Sequence, residues 1–346
     1  MFDAVPPRTL LCFLNALRAR LAQGIAKEAR GSPLAENRGA ENVTVIVPSY
    51  RRPDWLTACV RSILEGRARP HEVIVVGRQG DKETQQAIDL LKSFAKGSVE
   101  LRASWVTTPG HMPPVEAGAR MASGNIVAVV DDDVTVHPDW LARISAVFAD
   151  PLVGVAGGKV TTPGMAAPRL KGRPGQISWY GKTWGNVGSM GGTAPIEVCS
   201  VMEGNWAWRR DLLSSVVFDP VLNFDDASMY GLDLCFQARR KGYRVVYEPR
   251  AAVDHHAAER VPELDRSDRS RRTFSYCRNY TYIMLKNSPA WRKLIFLAWT
   301  FLVGEHQAWG AAALLADTLA RGPRVRRNVA TAFRGKIEGL RLWIRS

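Results

Sequence analysis

Three consecutive carboxylates, Asp131, Asp132 and Asp133, close the apolar run Asn125-Ile126-Val127-Ala128-Val129-Val130. Adjacent carboxylates at the end of a buried strand repel one another and are costly to desolvate unless a cation neutralises them. Oxygen ligands of this kind favour magnesium or manganese, which keep several waters and engage substrate phosphates. A divalent ion held there would neutralise charge developing on a leaving diphosphate. The plainer reading of the same residues is a solvated acidic turn ahead of Pro138. Further residues able to do chemistry are Glu203, the aspartates at 225, 226 and 233, and the pair His255-His256 after Asp254.

The elements that would position these groups alternate in type. Val43 to Pro48 and Glu72 to Val76 are short β-branched runs, each closed by a turn. Helical spacing follows them, from about Asp54 to Glu65 and from Lys82 to Lys96. A third strand is expected at Leu101–Val106, a helix at Val115–Ala122, and a fourth strand at Asn125–Val130 leading into the aspartates. Such alternation predicts an α/β fold with a mostly parallel sheet flanked by helices, and ligands gather beyond the carboxyl ends of its strands. Pro48, Gly77 and Asp131 all fall there. The glycine- and proline-rich stretch 157–196 predicts a long loop region over the site. Its Trp179, Tyr180 and Trp184, with Trp206 and Trp208, could stack on sugar faces; core packing is the alternative for the last two.

The flanks read differently. Residues 8–29 place Leu10, Leu14, Leu17 and Leu21 on one helical face, and residues 1–40 form an N-terminal amphipathic segment ahead of a domain at 41–256. The net charge of +14 is uneven: residues 257–346 carry 17 basic and seven acidic side chains, so +10 lies in this helical C-terminal region. The segment from Arg321 to Arg345 spaces Val325, Val329, Phe333, Ile337, Leu340 and Trp343 among arginines, a basic amphipathic helix suited to a membrane surface or a partner. Leu294–Val303 is too short an apolar run to span a bilayer. Five scattered cysteines form no CxxC pair, which fits reduced thiols, and residues 1–7 hold an acid and two prolines where a secretory leader would be basic. The expectation is a cytoplasmic protein, peripheral on the inner face of the plasma membrane, with no nucleic acid as partner.

In order along the chain, four segments resemble glycosyltransferase family two, whose members have the GT-A fold, a Rossmann-like sheet. Val45-Ile46-Val47-Pro48-Ser49-Tyr50-Arg51-Arg52 is similar to its first strand and nucleotide-binding turn. Gly124 to Asp133 resembles the strand with the DxD element, Asp131 and Asp133 taking its two positions. Gly204-Asn205-Trp206-Ala207-Trp208-Arg209-Arg210-Asp211, with Glu203 just before it, resembles the segment lining the acceptor site, and Tyr247 to His255 the strand whose terminal histidine faces metal and diphosphate. The resemblance implies inverting transfer of a sugar from a nucleotide donor to a glycan or lipid-linked acceptor in polysaccharide or cell-envelope assembly. It implies Mn2+ or Mg2+ at Asp131, Asp133 and His255, donor contacts from Pro48, Tyr50, Arg52 and Asp132, and acceptor contacts from Glu203, Asn205 and Trp206.

Two departures stand out. The family's aspartate after the second strand, a donor-base contact, is replaced by Gly77-Arg78-Gln79-Gly80-Asp81, where Arg78 could substitute. The family's general base falls at Gly231, and the acid that follows is Asp233. Inverting transfer needs a carboxylate within hydrogen-bond reach of the acceptor hydroxyl. Asp233 comes first and Asp226 second, with Asp225 and Glu203 as further candidates; Asp233 could instead cap a helix. The rival readings are a nucleotide-sugar or glycan-binding module that has lost its base, a nucleotidyltransferase, and a basic nucleic-acid binder.

Overall fold

The computed structural model describes residues 42–346 apart from 96–98, 166–172, 186, 226, 228, 258–267, 306–307 and 313–322, and the side chains of 323–327. The expected N-terminal helix therefore lies outside the described residues, as does Asp226. Residues 39–346 form one compact unit.

The strands are β1 (Val43–Pro48), β2 (Glu72–Arg78), β3 (Glu100–Val106), β4 (Ile126–Val130), β5 (Val134–Val136), β6 (Val153–Thr161), β7 (Asn205–Arg209) and β8 (Arg244–His255). They form one sheet in the order β3-β2-β1-β4-β7-β6-β8-β5, with the short strand Ile196–Glu197 also on β8. The first four pair in parallel, and β6 and β8 pair in parallel. β7 runs antiparallel between β4 and β6.

Nearly every side chain of β1, β2 and β4 is buried, because helices cover both faces. The period of two divides them. Ile46, Ile74, Val127 and Val129 face one core with Trp206 and Trp208; Val45, Val47, Val73, Val75 and Val130 face the other. On that second side lie α1 (Pro53–Leu64), opened by a proline, and α2 (Lys82–Phe94), capped by Asp81. α3 (Met112–Met121) and α6 (Tyr230–Arg240) lie on the first side, and α4 (Trp140–Ala146) on the second.

One buried acid locks the early strands to the turn that precedes β4. The carboxylate of Glu72 accepts from the Thr44 hydroxyl at 2.7 Å, from the Ser123 backbone at 2.7 Å and hydroxyl at 2.6 Å, and from Arg102 at 2.8 Å. Although burial opposes its charge, these donors hold its pKa down at about 2. A folded pKa below the unfolded one makes this contribution complete above about 4.5, and it fades as pH falls through 2.

Residues 157–161 are the end of β6 and not part of a loop. A Cβ on Gly157 would lie 2.3 Å from Val201 and one on Gly158 2.0 Å from the Ala251 carbonyl, so these glycines mark close packing inside a sheet. Beyond Thr161 the expected irregular region follows, holding a two-stranded ribbon of Gln176–Ile177 and Thr183–Trp184.

The C-terminal part contributes α7 (Arg269–Asn287), α8 (Ala290–Leu302) and, after a short α5 (Arg210–Ser215) earlier in the chain, a last helix at Pro323–Arg345, here α9. Of the expected apolar stripe on α9, Val329 is buried and Leu340 and Trp343 pack against the core, but small residues outside the stripe make the closest approach. Val329, Ala332, Gly335 and Gly339 are buried, and a Cβ on Gly335 or Gly339 would meet the carbonyls of Phe274 or Arg278 in α7 at 2.6 and 2.3 Å. Small residues allow the two backbones to approach, while Ile337 stays exposed. Lys336 is fully buried on the same side and donates to the carbonyls of Thr300, Ala308 and Trp309. Among the described residues no helix is long and apolar enough to cross a membrane.

Candidate active site

β4 delivers the three aspartates past the carboxyl end of the sheet, and β5 starts directly after them. β8 returns alongside β5 with His255 opposite Val134. A residue far along the chain is thereby set beside Asp133. One oxygen each from Asp131 and Asp133 and one nitrogen from His255 all lie within 4.8 Å of one another. His255 Nε2 stands 3.4 Å from Asp133 Oδ1, and His111 Nε2 stands 3.2 Å from Asp131 Oδ1.

Asp132 is not part of this cluster. It accepts from the Ser49 hydroxyl at 2.8 Å and from Arg52 at 2.9 Å, tying the end of β1 to the acidic turn. Burial lifts its pKa to about 6 against the pull of Arg52 and Ser49. The same Arg52 nitrogen reaches Asp133 at 3.2 Å. A single guanidinium thus bridges two of the three acids.

The cluster fits a divalent cation. Two carboxylates from the turn after β4 and an imidazole from the end of β8 converge, a donor set that suits magnesium or manganese. Gly204 leaves the room needed: a Cβ there would lie 2.5 Å from Asp131 Oδ2.

On the β1 side, Pro48 ends its strand beside Val76, and two guanidinium groups lie near the Tyr50 ring, Arg78 at 4.0 Å and Arg51 at 5.2 Å from its centre. Asp81, the acid after β2, accepts from the Arg51 backbone at 2.7 Å and from Thr84, so it holds this turn and the start of α2.

Three residues expected to meet substrate sit elsewhere. Asn205 is fully buried, accepting from Trp140 Nε1 at 2.8 Å and donating to the carbonyls of Lys159 and Ala251, which pins three strands together. Trp206 is fully buried, edge-on to Trp208 and Tyr230. Asp233 is fully buried in the first turn of α6, which starts at Tyr230, so it does not cap that helix. Its oxygens accept from Lys286 at 2.9 Å, Asn287 at 2.7 Å and Gln237 at 2.9 Å. This ion pair fastens α6 to α7. Asp225 pairs with Arg271 at 2.7 Å.

Glu203 is the expected residue that does face open space. It precedes Gly204 in the turn before β7, and its Oε1 accepts from the Gly231 N–H at 3.0 Å. Enclosure raises its carboxyl pKa, aided by Asp131 and opposed by His111 and the Gly231 N–H. It lines a cavity of about 420 Å³ with Lys182, Trp184, Met202, Tyr276 and Glu305. The last two come from the C-terminal part. Pattern reading missed His111. The prolines at 113 and 114 announce a helix start, but no local signal tells that the ring before it reaches Asp131.

Residues 44–212 match the model for Glycosyl transferase family 2. The chain is 26% identical over 251 residues to the O-antigen biosynthesis protein RfbC of Myxococcus xanthus, covering 66% of this chain and 19% of that protein. It is 26% identical over 238 residues to the glucosyl-dolichyl phosphate glucuronosyltransferase of Haloferax volcanii, covering 64% of this chain and 72% of the relative. The fold is similar to that of the mannosyltransferase PcManGT from Pyrobaculum calidifontis, solved with GDP-Man and Mn2+. That likeness has a TM-score of 0.53 at 19% identity, over 94% of this chain and 95% of that one. This architecture is the GT-A fold, a mixed sheet between helices with its acidic turn at the strand ends. The segment 44–212 belongs to glycosyl transferase family 2.

Proposed function

We propose that this chain transfers a glycosyl residue from a nucleoside-diphosphate sugar to a glycan or lipid-linked acceptor, with inversion, in the assembly of a cell-envelope polysaccharide. The observation that carries the reading is the convergence of Asp131, Asp133 and His255 within 4.8 Å at the carboxyl ends of the strands. Mn2+ or Mg2+ bound there would supply positive charge to the departing diphosphate. Arg52 keeps the acidic turn in place and adds a second positive charge beside the phosphates. Tyr50 and Arg78 offer a planar surface at the end of β1 on which a nucleobase would lie, and Pro48 shapes the turn below it. The acceptor enters by the cavity lined by Glu203 and Trp184. The O-antigen biosynthesis protein and the glucosyl-dolichyl phosphate glucuronosyltransferase among its relatives support a glycan or lipid-linked acceptor.

The test is calorimetric titration of UDP, GDP and dTDP into the protein, with Mn2+ and with EDTA. One of the three is expected to bind with Mn2+ and at least about tenfold more weakly without it. Failure of all three to bind the folded protein would end this reading.

The same proposal places the protein on the anionic inner face of the plasma membrane. α8 leaves Trp291, Leu294 and Leu302 exposed on one side, with Arg292 and Lys293 next to them, in the part of the chain that carries +10. Sedimentation with phosphatidylglycerol vesicles is expected to carry the protein down, and to fall at least about threefold when Leu294 and Leu302 are both changed to glutamate. Equal sedimentation of the variant would exclude this face.

A further inference from the structure

Inverting transfer requires a carboxylate at the acceptor hydroxyl, and the start of α6, where sequence resemblance sets it, carries a glycine. The geometry around that glycine is specific. A Cβ on Gly231 would stand 2.6 Å from Glu203 Cγ and 2.8 Å from Glu203 Oε1, so no other residue at 231 leaves Glu203 where it is. The Gly231 N–H, in the open first turn of an eleven-residue helix, donates to that carboxylate at 3.0 Å. Glu203 thus holds the volume that a side chain at 231 would take.

Resting on the nucleotide-sugar reading above, we infer that Glu203 is the general base of the transfer, standing in space where a residue at position 231 would otherwise present its acid. Three further observations converge on it. Its neighbour Gly204 lies against Asp131 Oδ2, which sets Glu203 beside the metal cluster. It lines the cavity of about 420 Å³ that an acceptor would enter. Of the other described acids outside the metal cluster that could serve, Asp233 is engaged by Lys286, Asn287 and Gln237, Asp225 by Arg271, and Glu305, across the cavity, by Thr183 at 2.8 Å and Tyr276 at 2.5 Å. In the step itself the acceptor O–H gives its proton to the Glu203 carboxylate. The acceptor oxygen forms the bond to the anomeric carbon, and the bond from that carbon to the diphosphate oxygen breaks, its electron pair leaving on the diphosphate.

The exchange can be reversed by design. The readouts are nucleotide binding by calorimetry and release of nucleoside diphosphate from UDP-glucose, UDP-N-acetylglucosamine and GDP-mannose with Mn2+, water serving as acceptor. Glu203→Gln is expected to lower release by about 10²–10⁴-fold with the nucleotide Kd unchanged. Glu203→Ala is expected to lose as much, and the double variant Glu203→Ala/Gly231→Asp, which returns the carboxylate to α6 and removes the Cγ it would strike, is expected to recover at least about tenfold. A purely structural Glu203 would give no such recovery. Release by Glu203→Gln within threefold of the parent, or a double variant no better than Glu203→Ala, overturns the assignment while leaving the donor reading intact. Loss of nucleotide binding in the parent protein overturns both.

Discussion

Asp133→Asn is expected to remove Mn2+-dependent nucleotide binding and to slow donor turnover by about 10²–10³-fold. The substitution keeps the side chain's shape and removes its charge. Asp133 is buried and shares Arg52 with Asp132, so the guanidinium keeps a partner in the variant. Three neighbouring carboxylates become two, which relieves repulsion, so the melting temperature is expected to hold or rise. That combination separates a binding site from a structural one. A structural acid lost from a buried ion pair lowers stability; a ligand lost from a repulsive cluster lowers affinity and does not. Calorimetry with and without Mn2+, beside thermal melts of the same samples, checks it. Unchanged nucleotide affinity in the variant would remove Asp133 from the metal site.

The second large effect is the opposite in kind. Asp233→Asn is expected to destabilise the fold by about 3 kcal/mol, because it leaves Lys286 inside the α6–α7 contact without its buried carboxylate. Lys286 also reaches Asp219 at 2.7 Å, and this second partner keeps the loss at the lower end for a broken buried pair. Asp233→Asn with Lys286→Met is expected to cost less than the sum of the single changes, since the two groups share one interaction. Denaturant melts of the four proteins give the coupling. Nucleotide binding and the pH profile of donor turnover are expected to stay as in the parent. A profile altered by Asp233→Asn in a protein of unchanged stability would return the base to that residue.

These two outcomes bear on what could be read from residues alone. The parallel strands were legible because Val43–Pro48, Glu72–Val76 and Asn125–Val130 are short, β-branched and buried on both faces, a pattern with few other solutions. The acidic turn followed from its position at a strand end. Asp233 came first because a one-dimensional pattern ranks acids by their spacing from Gly231; the structure buries it against Lys286, and the carboxylate beside Gly231 comes from a turn 28 residues earlier. Asn205 and Trp206 were misplaced for a related reason. Sequence shows that a segment borders the site, but in a strand alternate side chains face opposite cores, and no local signal says which. The glycines at 157 and 158 looked like loop because glycine serves both turns and tight strand packing, and only Val201 and the Ala251 backbone decide between them. In α9 the large apolar residues drew attention, yet Gly335 and Gly339 let its backbone come closest to α7.

The ladder between β5 and β8 also sets a timetable. Asp133 emerges early in synthesis, but His255 reaches it only when the long return strand has docked beside Val134 to Val136. A chain in which β8 has not docked therefore holds the acidic turn without its imidazole, and the candidate cation site is complete only with that strand in the sheet. A complete Asp131–Asp133–His255 cluster is in this way a report that two stretches distant in sequence, β5 and β8, have met.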